Sequence, residues 1–157
     1  MEARKRGGFT LVEILIVVVI LGILAAIVIP QFTNASESAK VSSLISQLQT
    51  IRSQLELFQV QHNGNYPTLD NTWGIMIGTS SATETGPAAG AGTDFGPYLQ
   101  QPPNNPFTGT ATVAADTSAD WQYVAASGLI KANVDMTPAA ATALGMDTTN
   151  DVNATGS

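Results

Sequence analysis

The stretch GFTLVEILIVVVILGILAAIVIP, from Gly8 to Pro30, decides how this chain is built. Residues 14–29 carry no charge, and with residues 9–13 they form an uninterrupted run of 21 residues before the proline. An α-helix rises about 1.5 Å per residue, so roughly 20 residues cross the ~30 Å hydrocarbon core of a bilayer. Strands rarely reach this length. The stretch therefore predicts a membrane-spanning helix over residues 9–30.

The residues before this run indicate its orientation. Residues 1–8 contain one acid, Glu2, and three basic residues, Arg4, Lys5 and Arg6. By the positive-inside rule the basic end stays cytoplasmic and the rest of the chain lies across the membrane. The alternative is a cleaved secretory signal peptide, whose apolar part spans about 7–15 residues and ends in small residues. Here Ala25 and Ala26 lie inside a longer run, which favours retention of the helix.

Glu13 is the one acid inside the apolar stretch. An unpaired carboxylate in lipid is costly, so such a residue marks a functional site and requires a partner. No basic residue of the same chain lies within the span. Snorkelling of the side chain to the headgroups is the alternative, because Glu13 stands near the start of the helix. We favour a partner supplied by another molecule.

Residues 6–13, RGGFTLVE, followed by the apolar run, resemble the processing signal of type IV pilins and type II secretion pseudopilins. The resemblance covers residues 4 to about 39. It implies a leader peptide, residues 1–8, that a membrane prepilin peptidase removes by cutting between Gly8 and Phe9. The same enzyme would N-methylate Phe9. The apolar segment would stay, anchor the subunit in the bacterial inner membrane and become the filament core.

The chemistry of these residues agrees with the implied roles. Gly8 has no Cβ, so it leaves the backbone open to a protease cleft. Cleavage would create a cationic amine at Phe9, and the resemblance implies that Glu13 of a neighbouring subunit neutralises it. The resemblance also implies that Gly22 and Pro30 make the helix flexible, because the stretch that corresponds to residues 22–30 is often unwound in assembled pilin filaments. Gly weakens a helix and Pro30 removes a hydrogen bond, so we expect this stretch to loosen or kink.

Beyond Pro30 the chain predicts an amphipathic continuation of the helix over residues 31–63. Its apolar residues recur every three or four positions: Val41, Leu44, Leu48, Ile51, Leu55 and Phe58. Asn63 and Gly64 end the helix, and Pro67 prevents its continuation. His62 lies in the last turn, where a positive charge would interact favourably with the negative end of the helix dipole. A metal role is not expected for it.

Residues 64–157 predict an extracytoplasmic head of strands and loops. The expected strands are residues 110–114, 121–126 and 129–134, with a two-residue turn at Ser127 and Gly128. Trp121, Tyr123 and Ala125 share one face and should cover the apolar stripe of the helix. Residues 79–94 suggest a flexible surface loop, and residues 146–157 show no core-forming pattern. Thr137 should cap a short helix that ends near residue 145. The predicted fold is α+β and pilin-like, with a long helix on a small antiparallel sheet.

The head resembles that of major, G-type pseudopilins at Tyr66-Pro67, at residues 96–99 and at residues 103–107. Those proteins commonly end in a calcium loop rich in Gly and Asp, a pattern not found here. Asp116 and Asp120 supply too few oxygens for a calcium shell and are expected to be solvated turn acids. No metal and no cofactor are therefore predicted.

Composition excludes several functions. The net charge is −6 and the only basic residues after the leader are Lys40, Arg52 and Lys131, so nucleic-acid binding is not expected. The chain has no cysteine, which excludes disulfides and thiolate metal sites. The lack of a disulfide loop favours a pseudopilin over many type IV pilins. One histidine and no nucleophile motif argue against an enzyme.

The most consistent function is a filament subunit of a type II secretion pseudopilus that supports protein export. Its implied partners are other copies, prepilin peptidase, the inner-membrane assembly platform and membrane lipid. A type IV pilin for motility, adhesion or DNA uptake is the alternative within the class. A singly anchored extracytoplasmic binding domain is the alternative outside it, but such a domain would not need Glu13 or the junction of Gly8 and Phe9.

Overall fold

The computed structural model of the chain describes residues 8–86, 92–154 and 156. The chain divides into two compact units, Met1–Glu37 and Ser38–Ser157. The first unit holds the beginning of the helix α1, which spans Leu11–Gln61 with Pro30 inside it. The predicted single long helix is therefore confirmed.

In the second unit α1 buries one stripe of side chains. The six apolar residues predicted from the spacing are its buried residues. The helix then stops because the backbone turns left-handed at Asn63 (φ 56°) and Gly64 (φ 84°). The Gly64 N–H donates to the Gln59 carbonyl at 2.9 Å, which satisfies an end carbonyl of the helix.

The head contains a four-stranded sheet in the order β1-β2-β3-β4. The strands are β1 (Val113–Ala114), β2 (Trp121–Val124), β3 (Leu129–Val134) and β4 (Val152–Ala154). Only β2 and β3 pair antiparallel, and β1–β2 and β3–β4 pair parallel. The sheet is therefore mixed, whereas the sequence predicted an antiparallel sheet. Between β3 and β4 the chain crosses over through the short helix α3 (Pro138–Ala143), which brings β4 in parallel.

The β2–β3 hairpin forms where it was predicted, but its turn is longer. Val124 pairs with Leu129, so residues 125–128 form the turn instead of Ser127 and Gly128 alone. The Gly128 N–H donates to the Val124 carbonyl at 2.9 Å, and Gly128 has φ 67°. A left-handed residue in the turn explains why glycine stands there.

The stripe of α1 and the inner face of the sheet form one hydrophobic core. Strand alternation turns Trp121 and Tyr123 inward, as predicted, and places Ile130 and Ala132 beside them. Tyr123 donates its hydroxyl to the Pro67 carbonyl at 2.9 Å. The α+β, pilin-like architecture is confirmed.

Two expectations about the end of the chain have different outcomes. Thr137 caps α3 as predicted, because its hydroxyl accepts the Ala140 N–H at 3.2 Å. The interpretation of residues 146–157 as lacking core residues is wrong, since Met146 and Val152 are buried and β4 extends the sheet. Three strand residues are too few to produce a readable alternation.

The segment between α1 and the sheet is also more ordered than expected. A helix that was not predicted, α2 (Gly74–Ile77), buries Ile75 and Met76. Of the expected flexible loop, residues 87–91 lie outside the described residues. Its flank is not a free surface loop, because Ser80 is buried and exchanges two backbone hydrogen bonds of 3.0 Å with Phe95.

Candidate functional site

The first unit exposes an apolar helical surface. The described residues contain one helix long and apolar enough to cross a membrane, and none of its apolar window is buried. Phe9 is 82% exposed, and the large apolar residues from Leu11 to Ile29 are 40–81% exposed. Water does not tolerate such a surface, so lipid or other apolar helices must cover it.

Glu13 has a partner within its own chain. Its carboxylate oxygen Oε2 accepts the backbone N–H of Thr10 and the Thr10 hydroxyl, both at 2.8 Å. The Glu13 N–H in turn lies 3.2 Å from the Thr10 hydroxyl oxygen. This is a capping box, in which the residue before the helix and the third helical residue satisfy each other's free N–H groups.

Thr10 was not predicted as a site residue, although the spacing Thr-x-x-Glu carries the capping-box signal. The sequence interpretation considered only charged partners for Glu13. In the single chain, hydrogen bonds from the neutral groups of Thr10 satisfy the Glu13 carboxylate in part, but these groups do not compensate its negative charge. The proposed role of Glu13 in filament assembly therefore stays a prediction.

Gly22 and Pro30 both lie within the continuous helix α1. A Cβ added at Gly22 would meet no atom within 4 Å, so no contact within the chain requires a glycine there. Pro30 has no N–H to donate, which leaves the helix one hydrogen bond short. Loosening of residues 22–30 on assembly stays a prediction.

The cleavage junction lies at the edge of the described residues. Gly8 is exposed and has open space around it, and Phe9 follows before the helix begins. The basic residues Arg4, Lys5 and Arg6 lie outside the described residues. Cleavage between Gly8 and Phe9 and methylation of Phe9 stay predictions.

His62 lies directly after the last residue of α1 and is held by contacts that the sequence did not predict. Its ring is fully buried and stacks on Phe58 with 3.6 Å between ring centroids. Nδ1 lies 2.9 Å from the Phe58 carbonyl oxygen and Nε2 lies 2.9 Å from the Ser80 hydroxyl. The ring fastens the end of α1 to the segment at Ser80.

Asp120 is also not a solvated turn acid. It is buried, and its Oδ2 accepts the Thr110 hydroxyl and both the N–H and the hydroxyl of Thr112, each at 2.7 Å. Burial alone would raise its pKa, but hydrogen bonds from Thr108, Thr112 and Thr110 outweigh burial and hold the pKa below its ordinary value. Asp120 therefore stabilises the loop before β2 through these hydrogen bonds.

Asp116 behaves as predicted. It is exposed, and its carboxylate accepts the Ser118 hydroxyl at 2.5 Å and the Ser118 N–H at 2.9 Å. These bonds lower its pKa. Across the described parts of the chain, no three His, Cys, Asp or Glu side chains are grouped so that they could hold a metal.

A helix that is apolar at its start and amphipathic beyond, packed on a small sheet, defines a pilin-like protein with a membrane anchor. Residues 3–29 match the family described as the prokaryotic N-terminal methylation motif. The chain is 30% identical over 107 residues to type II secretion system core protein G of Aeromonas hydrophila, covering 68% of this chain and 71% of that protein. The chain belongs to this family of pseudopilins.

Other relatives of the same name match a shorter stretch. Core protein G of Dickeya chrysanthemi is 39% identical over 77 residues, which cover 49% of each chain. That of Pseudomonas aeruginosa is 43% identical over 68 residues, covering 43% of this chain and 47% of the relative. The chain thus spans about half the length of these two relatives. No solved structure matches it significantly.

Proposed function

We propose that this chain is a structural subunit of a type II secretion pseudopilus. Prepilin peptidase cuts it between Gly8 and Phe9 and methylates Phe9, and the mature subunit polymerises through α1 to support protein export. The observation that carries this proposal is the exposed apolar helix of residues 14–29, with a single acid, Glu13, directly before it. The relatives named type II secretion system core protein G support the assignment to this secretion machine.

The subunit waits in the inner membrane with its N-terminus in the cytoplasm and its head on the far side. Basic residues before the apolar run support this orientation. On assembly the apolar surface passes from lipid to the helices of other copies, guided by the assembly platform of the secretion machine. The chain acts by polymerising and is not an enzyme.

Glu13 sets the register of the filament. Cleavage creates an amine at Phe9, and Glu13 of a neighbouring copy neutralises it. A copy docked at a wrong axial offset leaves both charges unpaired among apolar side chains, which is strongly unfavourable. Both Phe9 and Glu13 are exposed in the single chain, which supports this pairing.

The first test is the N-terminus of the mature protein. The full chain is expressed with a prepilin peptidase, and mass spectrometry determines its first residue for wild type, Gly8→Ala and the control Gly22→Ala. We expect wild type and Gly22→Ala to begin at methylated Phe9 and remain in the membrane fraction. Gly8→Ala should stay uncut.

Two results would contradict the proposal. Cleavage beyond Ala26 would indicate a secretory signal peptide, and an intact wild-type junction would indicate a simple anchored domain. Electron microscopy of cells that also carry the assembly platform then tests filament formation. Properly processed chains that never form filaments would remove the filament role.

A further inference from the structure

A neutral groove follows one side of α1 in the second unit. Ser43, Gln47 and Thr50 of α1 form one wall, residues 99–104 form the other, and the cavity between them measures about 400 Å³. None of the lining residues is ionisable. From Ser38 onward the sequence contains nine acids and three bases, and the groove is a surface of this acidic unit without like charges. We call it the α1 groove.

Gln47 leaves the wall of the groove incompletely hydrogen-bonded. Its Oε1 is buried and has no hydrogen-bond partner among the described residues, while its Nε2 lies 3.5 Å from the Ser43 hydroxyl. A buried acceptor without a donor is destabilising, and such atoms are rare in folded proteins. A small rotation of the terminal amide, whose last torsion is soft, would turn this acceptor towards the groove.

The same helix exposes an apolar pair further along. Leu57 is 44% exposed and Val60 is 79% exposed, which makes Val60 the most exposed of the large apolar side chains described from Ser38 onward. They stand three residues apart and are therefore neighbours on one face of the helix. We call Leu57 and Val60 the outer apolar pair.

We propose that the outer apolar pair of one copy docks in the α1 groove of a second copy of this chain. Pro102 and Leu99 give the groove an apolar side for these side chains, and the Gln47 amide in its wall offers an unsatisfied hydrogen-bond acceptor. The inference rests on the proposed function, in which copies assemble. It goes further by naming the surfaces through which their heads meet.

Charge favours a second copy at this place. Two acidic heads repel each other wherever their acids face, so they approach best through surfaces without like charges. The groove has no acid, and Glu56 is the one charged residue directly beside the outer apolar pair. A glutamate at the edge of the contact therefore meets no carboxylate in the groove.

The two surfaces also suit a contact that propagates. Val60 lies thirteen residues beyond Gln47, which is about 20 Å along the helix and about 140° around it. The surfaces are therefore different faces at different heights. A contact between different faces leaves a free groove and a free pair at the two ends, so that further copies can join head to tail.

The test uses engineered cysteines, because the chain has none of its own. Full-length Val60→Cys and Gln101→Cys chains with different tags are co-expressed in cells with the peptidase and the assembly platform, then mildly oxidised. We expect a disulfide-linked dimer that carries both tags. The control combines Val60→Cys with Val124→Cys, an exposed position on the outer face of the sheet, and should give little product.

A chain that carries both Val60→Cys and Gln101→Cys provides a second readout. It should form a ladder of linked copies on a non-reducing gel, whereas each single variant, expressed alone, lacks one of the two cysteines of the contact and should form no ladder. Equal cross-linking in the Val124→Cys control would overturn the inference, because it would indicate random collision. Filaments of normal appearance without the predicted cross-link would also overturn it.

The outcomes separate this inference from the proposed function. Cross-linking without filaments would support the contact and remove the filament role, while the absence of both would remove both. Charge variants provide an independent check: Val60→Asp should reduce filament yield at least tenfold and Val124→Asp should leave it near wild type. Equal yields from the two variants would contradict the contact.

Discussion

The hydroxyl and the backbone N–H of Thr10 both bind the Glu13 carboxylate at 2.8 Å in the single chain. A free carboxylate would be costly in lipid, and these bonds replace part of its hydration. In the proposed filament the same oxygen would also bind the Phe9 amine of another copy. The two Thr10 bonds leave the negative charge of Glu13 available for that proposed partner.

Replacement of the Thr10 hydroxyl should reduce assembly without preventing cleavage. We expect Thr10→Val to lower filament yield several-fold, because Glu13 then loses one of its two donors, whereas Thr10→Ser should stay close to wild type. Filament yield and the mature N-terminus are measured together. Normal assembly by Thr10→Val would show that the backbone N–H alone is sufficient.

Arg52 anchors the chain before β4 to the helix α1. Its guanidinium donates to Asp151 at 2.8 Å and to the carbonyls of Asn150 and Ile130 at 2.7 and 3.1 Å. We expect Arg52→Ala to lower the free energy of unfolding by about 2 kcal/mol, mainly through the two carbonyls. Denaturant unfolding of the full chain in detergent, followed by tryptophan fluorescence, measures the loss.

Asp151→Asn provides the matched comparison for this prediction. The Arg52–Asp151 pair is about a third exposed on the arginine side and a quarter on the aspartate side, so solvent screens it. The variant should therefore cost less than about 1 kcal/mol. A loss as large as that of Arg52→Ala would show that the ion pair, and not the carbonyl contacts, holds this segment.

Asp120 should make the head sensitive to acid. Its folded-state pKa is lowered, so it stabilises the fold above the unfolded-state value of about 3.9 and loses that contribution as pH falls through the folded value. We expect Asp120→Asn to be less stable at neutral pH and to show a flatter acid side in its stability profile. Acid titration monitored by fluorescence and circular dichroism measures both.

The exposed Asp116 is the control for this effect. Its pKa is also lowered, by hydrogen bonds from the Ser118 hydroxyl and N–H, but solvent competes for those bonds. Asp116→Asn should therefore change the acid profile less than Asp120→Asn does. The reverse order would mean that the loop before β2 is held by its exposed turn.

Gly128 should tolerate a methyl group poorly. Its φ is +67°, and a Cβ there would come within 2.4 Å of the Tyr66 ring. Gly109 has a similar φ of +78° but open space around it, so Gly109→Ala isolates the backbone strain of about 1–2 kcal/mol. We expect Gly128→Ala to lose more stability than Gly109→Ala in the same unfolding measurement. Equal losses would show that Tyr66 moves aside freely.

The sequence alone determined the elements whose signals are long or local. Sixteen consecutive residues, almost all large and apolar, indicate a spanning or buried element, and the three-and-four spacing from Val41 to Phe58 fixes which face of α1 meets the sheet. The β2 and β3 strands could be predicted because their inward aromatic and aliphatic residues alternate. The capping box at Thr10 and Glu13 has an equally local spacing, although it was not predicted from the sequence.

Tertiary structure alone decided the features that join distant residues. The parallel pairing of β4, the burial of Met146 and the attachment of Arg52 to Asp151 connect positions as much as 99 residues apart, and no short-range pattern records them. The burial of His62 and Asp120 was not predicted, because their partners Ser80 and Thr110 lie 18 and 10 residues away and belong to no common repeat. Burial of a polar group depends on which hydrogen-bonding partners the fold brings to it, and only the folded chain supplies that information.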